Sequence, residues 1–144
     1  MMNGIQNIVV GFDGSSDSKA ALRWASHLAG VTGARLRIVH AAGLLEHAGM
    51  GDHAAAYRET SIQIAVEAGA TASDIEWSVV DGDPCSALLR MTAAAEATDL
   101  VVVGSRGSGA HDGSLLGSTS LELAEHSPVP VVIVPPVSES LLAG

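Results

Sequence analysis

Two short runs of glycine, hydroxyl and charged residues hold most of the chemically suggestive side chains of this 144-residue chain. The stronger run begins Gly104-Ser105-Arg106-Gly107 and resumes at Gly117-Ser118-Thr119-Ser120, a G-x2-G-x9-G-S spacing that leads into a helical pattern. Glycine lets a ligand approach the main chain closely, and a helix N-terminus presents unpaired N–H groups with a partial positive charge. The hydroxyls of Ser118, Thr119 and Ser120 add donors for phosphate oxygens. Together they describe a neutral, backbone-based phosphate site with Arg106 as a secondary candidate for reaching a phosphate. The second run, Gly11-Phe12-Asp13-Gly14-Ser15-Ser16, follows the first apolar segment and puts a carboxylate at its end. Each residue also has a plainer reading: Asp13 as a turn or cap, the glycines as turn formers, Arg106 as a surface charge. The complete spacing with Ser118 favours the ligand reading.

Other chemistries lack their signatures. There is no G-x-x-x-x-G-K-[ST] phosphate loop, no G-x-G-x-x-G after the first apolar segment and no G-x-S-x-G nucleophile elbow. The six histidines, His27, His40, His47, His53, His111 and His126, show neither an H-x-x-x-H pair nor a zinc spacing, and surface or helix-face positions are expected for them. Cys85 follows Pro84 at a helix start, where the helix dipole would lower its pKa, yet no base accompanies it and a packed thiol is the expected role.

Elements able to position the two runs are visible in the hydrophobic pattern. Five apolar runs rich in β-branched residues, at 8–12, 36–40, 75–80, 100–103 and 131–134, read as strands. Between them lie Ala- and Leu-rich stretches of helical period, such as Ala20, Ala21, Trp24, Ala25 and Leu28. Strands joined by helical crossovers run parallel, and runs buried on both faces belong inside a doubly wound sheet. Ser15 and Ser16 are candidate N-caps of the first helix and Gly33 follows its end. Asp83-Pro84 reads as an N-cap with proline at the first helical position, opening a helix expected to reach about Thr98. The second helix ends near Gly69, and residues 43–53 fit either a loop or its start. The chain length suits one domain, with a short, loosely held tail after about residue 136.

Hydrophobic residues make up 47% of the chain and charged residues 16%, enough apolar surface for a packed core. A net charge of −9 leaves no basic stripe for nucleic acid or an anionic membrane. No apolar run approaches the ~18 residues of a membrane span. One cysteine forms no internal disulfide, and a reducing cytoplasm is the expected compartment.

Four segments carry a specific resemblance: Ile8-Val9-Val10-Gly11-Phe12-Asp13-Gly14-Ser15; residues 36–41; Asp99-Leu100-Val101-Val102-Val103-Gly104-Ser105-Arg106-Gly107; and Leu115-Leu116-Gly117-Ser118 with Pro128-Val129-Pro130-Val131-Val132-Ile133-Val134. In these the chain resembles the universal stress protein family, with the glycine pattern of its ATP-binding branch. The resemblance implies a Rossmann-like, doubly wound α/β domain of five parallel strands in the order 3-2-1-4-5, with a nucleotide across the ends of strands 1 and 4. It implies Asp13 at the nucleoside, Ala41 beside the adenine, Val103 and Gly104 flanking the ribose, and Gly107, Gly117, Ser118 and Thr119 around the phosphates. Ala110-His111-Asp112 departs from the family pattern, and Asp112 would repel phosphate unless a divalent cation such as Mg2+ intervenes.

The expected function is an ATP-binding regulator, also accepting AMP or ADP, that acts through a protein partner the sequence does not name. The alternatives are a nucleotide-free interaction module or a slow ATP hydrolase. A homodimer through Val131–Val134 is expected, because an apolar terminal strand at a sheet edge leaves main-chain groups open and the family resemblance implies the same surface.

Overall fold

The computed structural model describes residues 4–42, 54–93, 97–106 and 116–136. The elements alternate as β1 (Asn7–Gly11), α1 (Ser16–Thr32), β2 (Arg35–Ala42), α2 (Ala54–Glu67), β3 (Ile75–Asp81), α3 (Pro84–Thr92), β4 (Leu100–Gly104), α4 (Ser118–His126) and β5 (Val131–Val134). A single 3-10 turn, Ala72–Asp74, precedes β3. All five strands are parallel and lie in the order β3-β2-β1-β4-β5, as the family resemblance implied. Chain order therefore reverses between β1 and β4, where Ile8, Val9 and Val10 pair with Leu100, Val101 and Val102.

Period-two alternation sorts the strand residues onto two cores. Ile8, Val10, Leu36, Ile38, Leu100 and Val102 face α1 and α2, meeting Ala21, Leu22, Ala25 and Ala29 of α1. Val9, Val39, Val101 and Val103 face the other way, onto Cys85, Ala87 and Leu88 of α3 and Leu123 of α4. Each such fully buried aliphatic side chain contributes about 1.5–3 kcal/mol. The edge strands β3 and β5 are only partly covered.

Caps follow the expected punctuation. The Ser15 hydroxyl accepts from the Ser18 N–H, Gly33 closes α1 in the left-handed region at φ 75°, and Asp83 accepts from the Ser86 N–H with Pro84 next in line. Strands β2, β3 and β4 run one or two residues beyond the sequence reading, whereas β1 and α3 end short of it. Phe12 lies beyond β1, although its N–H still donates to the Val39 carbonyl at 2.9 Å. Helix α3 stops at Thr92 instead of about Thr98. Its nine residues rise about 13 Å, already close to the length of the five-residue strand beneath, and residues 97–99 leave the helix so that the Asp99 carboxylate can accept N–H bonds from Gln6 and Asn7. Residues 43–53 and the tail after 136 lie outside the described residues. No helix among the described residues is long and apolar enough to cross a membrane.

Candidate functional site

At the carboxyl end of β1 the chain turns sharply into α1. Asp13 organises this turn: its Oδ1 accepts from the Ser15 N–H at 2.9 Å, while its own N–H donates to the Ser18 hydroxyl. Gly14 adopts φ 81°, and a Cβ there would lie 2.6 Å from the Tyr57 ring, so only glycine fits beneath that side chain. Tyr57, from α2, meets Phe12 and His40 edge to face, and His40 stacks on Trp77. The His40 Nδ1–H donates to the Phe12 carbonyl at 3.1 Å, since a carbonyl can only accept. The expectation of surface or helix-face histidines is corrected here. His40 is buried on strand β2, 3% exposed, because its ring pairs with aromatics and its N–H supports the turn from behind.

At the end of β4 the first turn of α1 presses against the strand. A Cβ on Gly104 would stand 2.7 Å from the Asp17 backbone, so helix packing alone requires glycine there. The buried Asp17 carboxylate then gathers the strand exit: its Oδ2 accepts from the Arg106 N–H at 3.0 Å and the Ser105 hydroxyl at 3.3 Å, with the Arg106 Nε 3.5 Å away. The Ser120 hydroxyl donates to the Gly104 carbonyl at 2.7 Å, and the Gly117 N–H donates to the Ser105 carbonyl at 2.6 Å. These bonds hold the start of α4 beside the end of β4. Gly117 is the N-cap of α4, with ordinary extended angles (φ −78°, ψ 168°) and no side-chain cap on the helix.

Between the two strand ends lies a cavity of about 300 Å3. Gly11, Phe12, Asp13, Ala41, Val103, Gly104, Arg106, Gly117, Ser118, Thr119 and Ser120 all line it. Of the candidate site residues named from the sequence, Gly107 lies outside the described residues, and so do Ala110, His111 and Asp112 of the same loop. Ser18, Val39, Pro84 and Leu88 also line the cavity and were not anticipated. Pro84 and Leu88 are one helical turn apart on α3, a spacing that could have flagged them as one wall; Asp17 left no such signal. Polar groups gather at the β4–α4 side, and Leu88, Pro84, Val39 and Ala41 supply apolar surface toward β2.

Next to the cavity, Cys85 departs from the dipole argument. Burial pushes its thiol pKa up, and Glu122 of α4 raises it further, so it is a packed thiol and not an activated one. Hydrogen bonds from Ser86 lower the pKa of the exposed Asp83 carboxyl.

An open parallel sheet with a cleft at its switch point, built from glycine turns and a helix N-terminus, defines an α/β domain of the Rossmann-like class. The universal stress protein family model matches residues 4–135, and the chain belongs to that family. A universal stress protein of Thermus aquaticus is 32% identical over 137 residues, covering 90% of this chain and 98% of that protein. One from Mycobacterium tuberculosis is 30% identical over 153 residues, covering 89% of this chain and 47% of its own length, so the chain spans about half of that relative. Among solved structures, a universal stress protein in complex with cAMP is 34% identical, with a TM-score of 0.77 over 92% of this chain and 98% of that one.

Proposed function

We propose that this protein is an adenine-nucleotide-binding regulator, with ATP, ADP or AMP in the cavity between β1 and β4. The observation that carries the proposal is the convergence of the Asp13 turn, Gly104 and the uncapped start of α4 on one cleft with an apolar wall. The cAMP complex of a relative at 34% identity supports the adenine part of the reading. The nucleoside lies toward Asp13, Ala41 and Val103, and the phosphates toward Gly117, Ser118 and Thr119. Among the described residues no group of three or more His, Cys, Asp or Glu side chains could hold a metal ion. A Mg2+ ion accompanying ATP would take most of its oxygens from the phosphates and water, as this ion commonly does. The protein acts in the cytoplasm as a homodimer paired through β5, and occupancy of the site alters what a protein partner meets.

Titration calorimetry with AMP and with ATP plus magnesium tests the reading. Asp13→Ala and Gly117→Val should each weaken binding about tenfold or more, the first by removing a polar contact and the turn bond, the second by placing a β-branched side chain where phosphate must approach. Absence of heat at millimolar nucleotide would refute the proposal and leave the interaction module as the better account.

A further inference from the structure

All seven lysines and arginines of the chain fall within the described residues, and Arg106 is the one that lines the cavity. The residues outside the description contribute no Lys or Arg. The positive side-chain charge available to an anion here is thus a single guanidinium. Against it, among the described residues, stand two carboxylates, Asp13 on the cavity wall and Asp17 behind Arg106. Asp17 is 6% exposed and engages both the Arg106 N–H and Nε, whereas the terminal nitrogens of Arg106 bond to nothing else among the described residues.

We infer that Asp17 is a selectivity-determining residue, tuning the site to nucleotides that carry a single phosphate and against metal-free triphosphate. The inference rests on the nucleotide-binding reading above. Oriented by Asp17, Arg106 and the N–H groups at the start of α4 accommodate one phosphate group. Further phosphates meet a surround whose fixed side-chain charge is net negative, at partial burial, where charges interact more strongly than in water. A cyclic phosphodiester carries about one negative charge and a terminal phosphomonoester about two at neutral pH, so both suit the site better than a bare triphosphate. Magnesium offsets the excess charge of ATP and removes most of the handicap.

Calorimetry with adenosine, cAMP, AMP and ATP in the presence of a chelator, then with magnesium, tests the inference on the intact chain. The parent protein should bind cAMP or AMP at least about tenfold more tightly than metal-free ATP, and magnesium should rescue ATP selectively. Asp17→Asn keeps the size and one acceptor oxygen while removing the charge; it should strengthen metal-free ATP about tenfold and cAMP no more than about twofold. Asp74→Asn, a neutralisation at the far end of the sheet, should leave the ratio unchanged. Equal weakening of all four ligands by Asp17→Asn would make Asp17 merely structural and overturn the inference. Metal-free ATP binding the parent as tightly as cAMP would overturn it without any variant. Failure of every ligand to bind would instead remove the nucleotide reading beneath it.

Discussion

Ser26 sits inside α1 with its hydroxyl sealed from solvent and without a hydrogen-bond partner among the described residues. Ser26→Ala removes the unsatisfied group and improves helix propensity, so it should raise unfolding free energy by about 1 kcal/mol in a denaturant titration. Cys85 should be alkylated far more slowly in the native protein than after unfolding, because burial both raises its pKa and blocks access. Glu122→Gln should bring the pKa partway down, leaving it above the ordinary thiol value because desolvation is the larger cause. Asp83 gives a stability term of the opposite sense. Its folded pKa is lowered, so its contribution is present above the unfolded carboxylate pKa and is lost as pH falls through the folded value. Asp83→Ala should destabilise the protein by about 1 kcal/mol near neutral pH, less in strong acid. The Asp83-Pro84 cap was legible in the sequence because its acceptor and donors are neighbours along the chain. The Cys85 environment was not, since Glu122 reaches it only after the sheet has brought α3 and α4 together.

Strand β5 pairs with β4 on one side and closes the sheet there. The bonds from the Val101 N–H to the Pro130 carbonyl and from the Ser105 N–H to the Val134 carbonyl assign residues 130, 132 and 134 to the β4 ladder. By alternation, the N–H of Ile133 faces the open edge. Ile133→Pro should therefore leave the sheet intact while removing a donor from the proposed dimer seam, and light scattering should show dissociation at concentrations where the parent remains dimeric. A parent protein that is monomeric at high micromolar concentration would contradict the seam itself. The five parallel strands could be anticipated because local hydrophobic runs and the crossover rule need no knowledge of distant contacts; their order, and with it the cleft at β1 and β4, came from the family resemblance. The end of α3 could not, because it is set by the length of β4 and by Asp99 reaching the start of β1. For the same reason Gly104, read as a ligand-facing glycine, proved to have a packing requirement as well: the atom it must avoid belongs to Asp17.

On the scale of the whole molecule, the proposed site offers contacts suited to a nucleotide's ground state, and Asp13 already spends one oxygen on its own turn. We expect ATP to be held with little turnover, far below the ~10 per second of a median enzyme. A phosphate-release assay yielding about one turnover per second, lost in Asp112→Ala, would contradict this expectation. Binding should instead appear as thermal stabilisation: a ligand at 100 times its Kd adds about 2.7 kcal/mol to the folded state. The central place of β1 has a separate consequence during synthesis. One neighbour, β2, follows it after a single helix, but the other, β4, is translated some 90 residues later, since Ile8 pairs with Leu100. At about 5–20 residues per second, the emerging chain spends roughly 5–18 seconds with Ile8, Val9 and Val10 exposing an unpaired, strongly apolar flank. That interval is when the nascent protein is most open to intermolecular strand pairing, and ribosome-associated chaperones would have most to gain by shielding it.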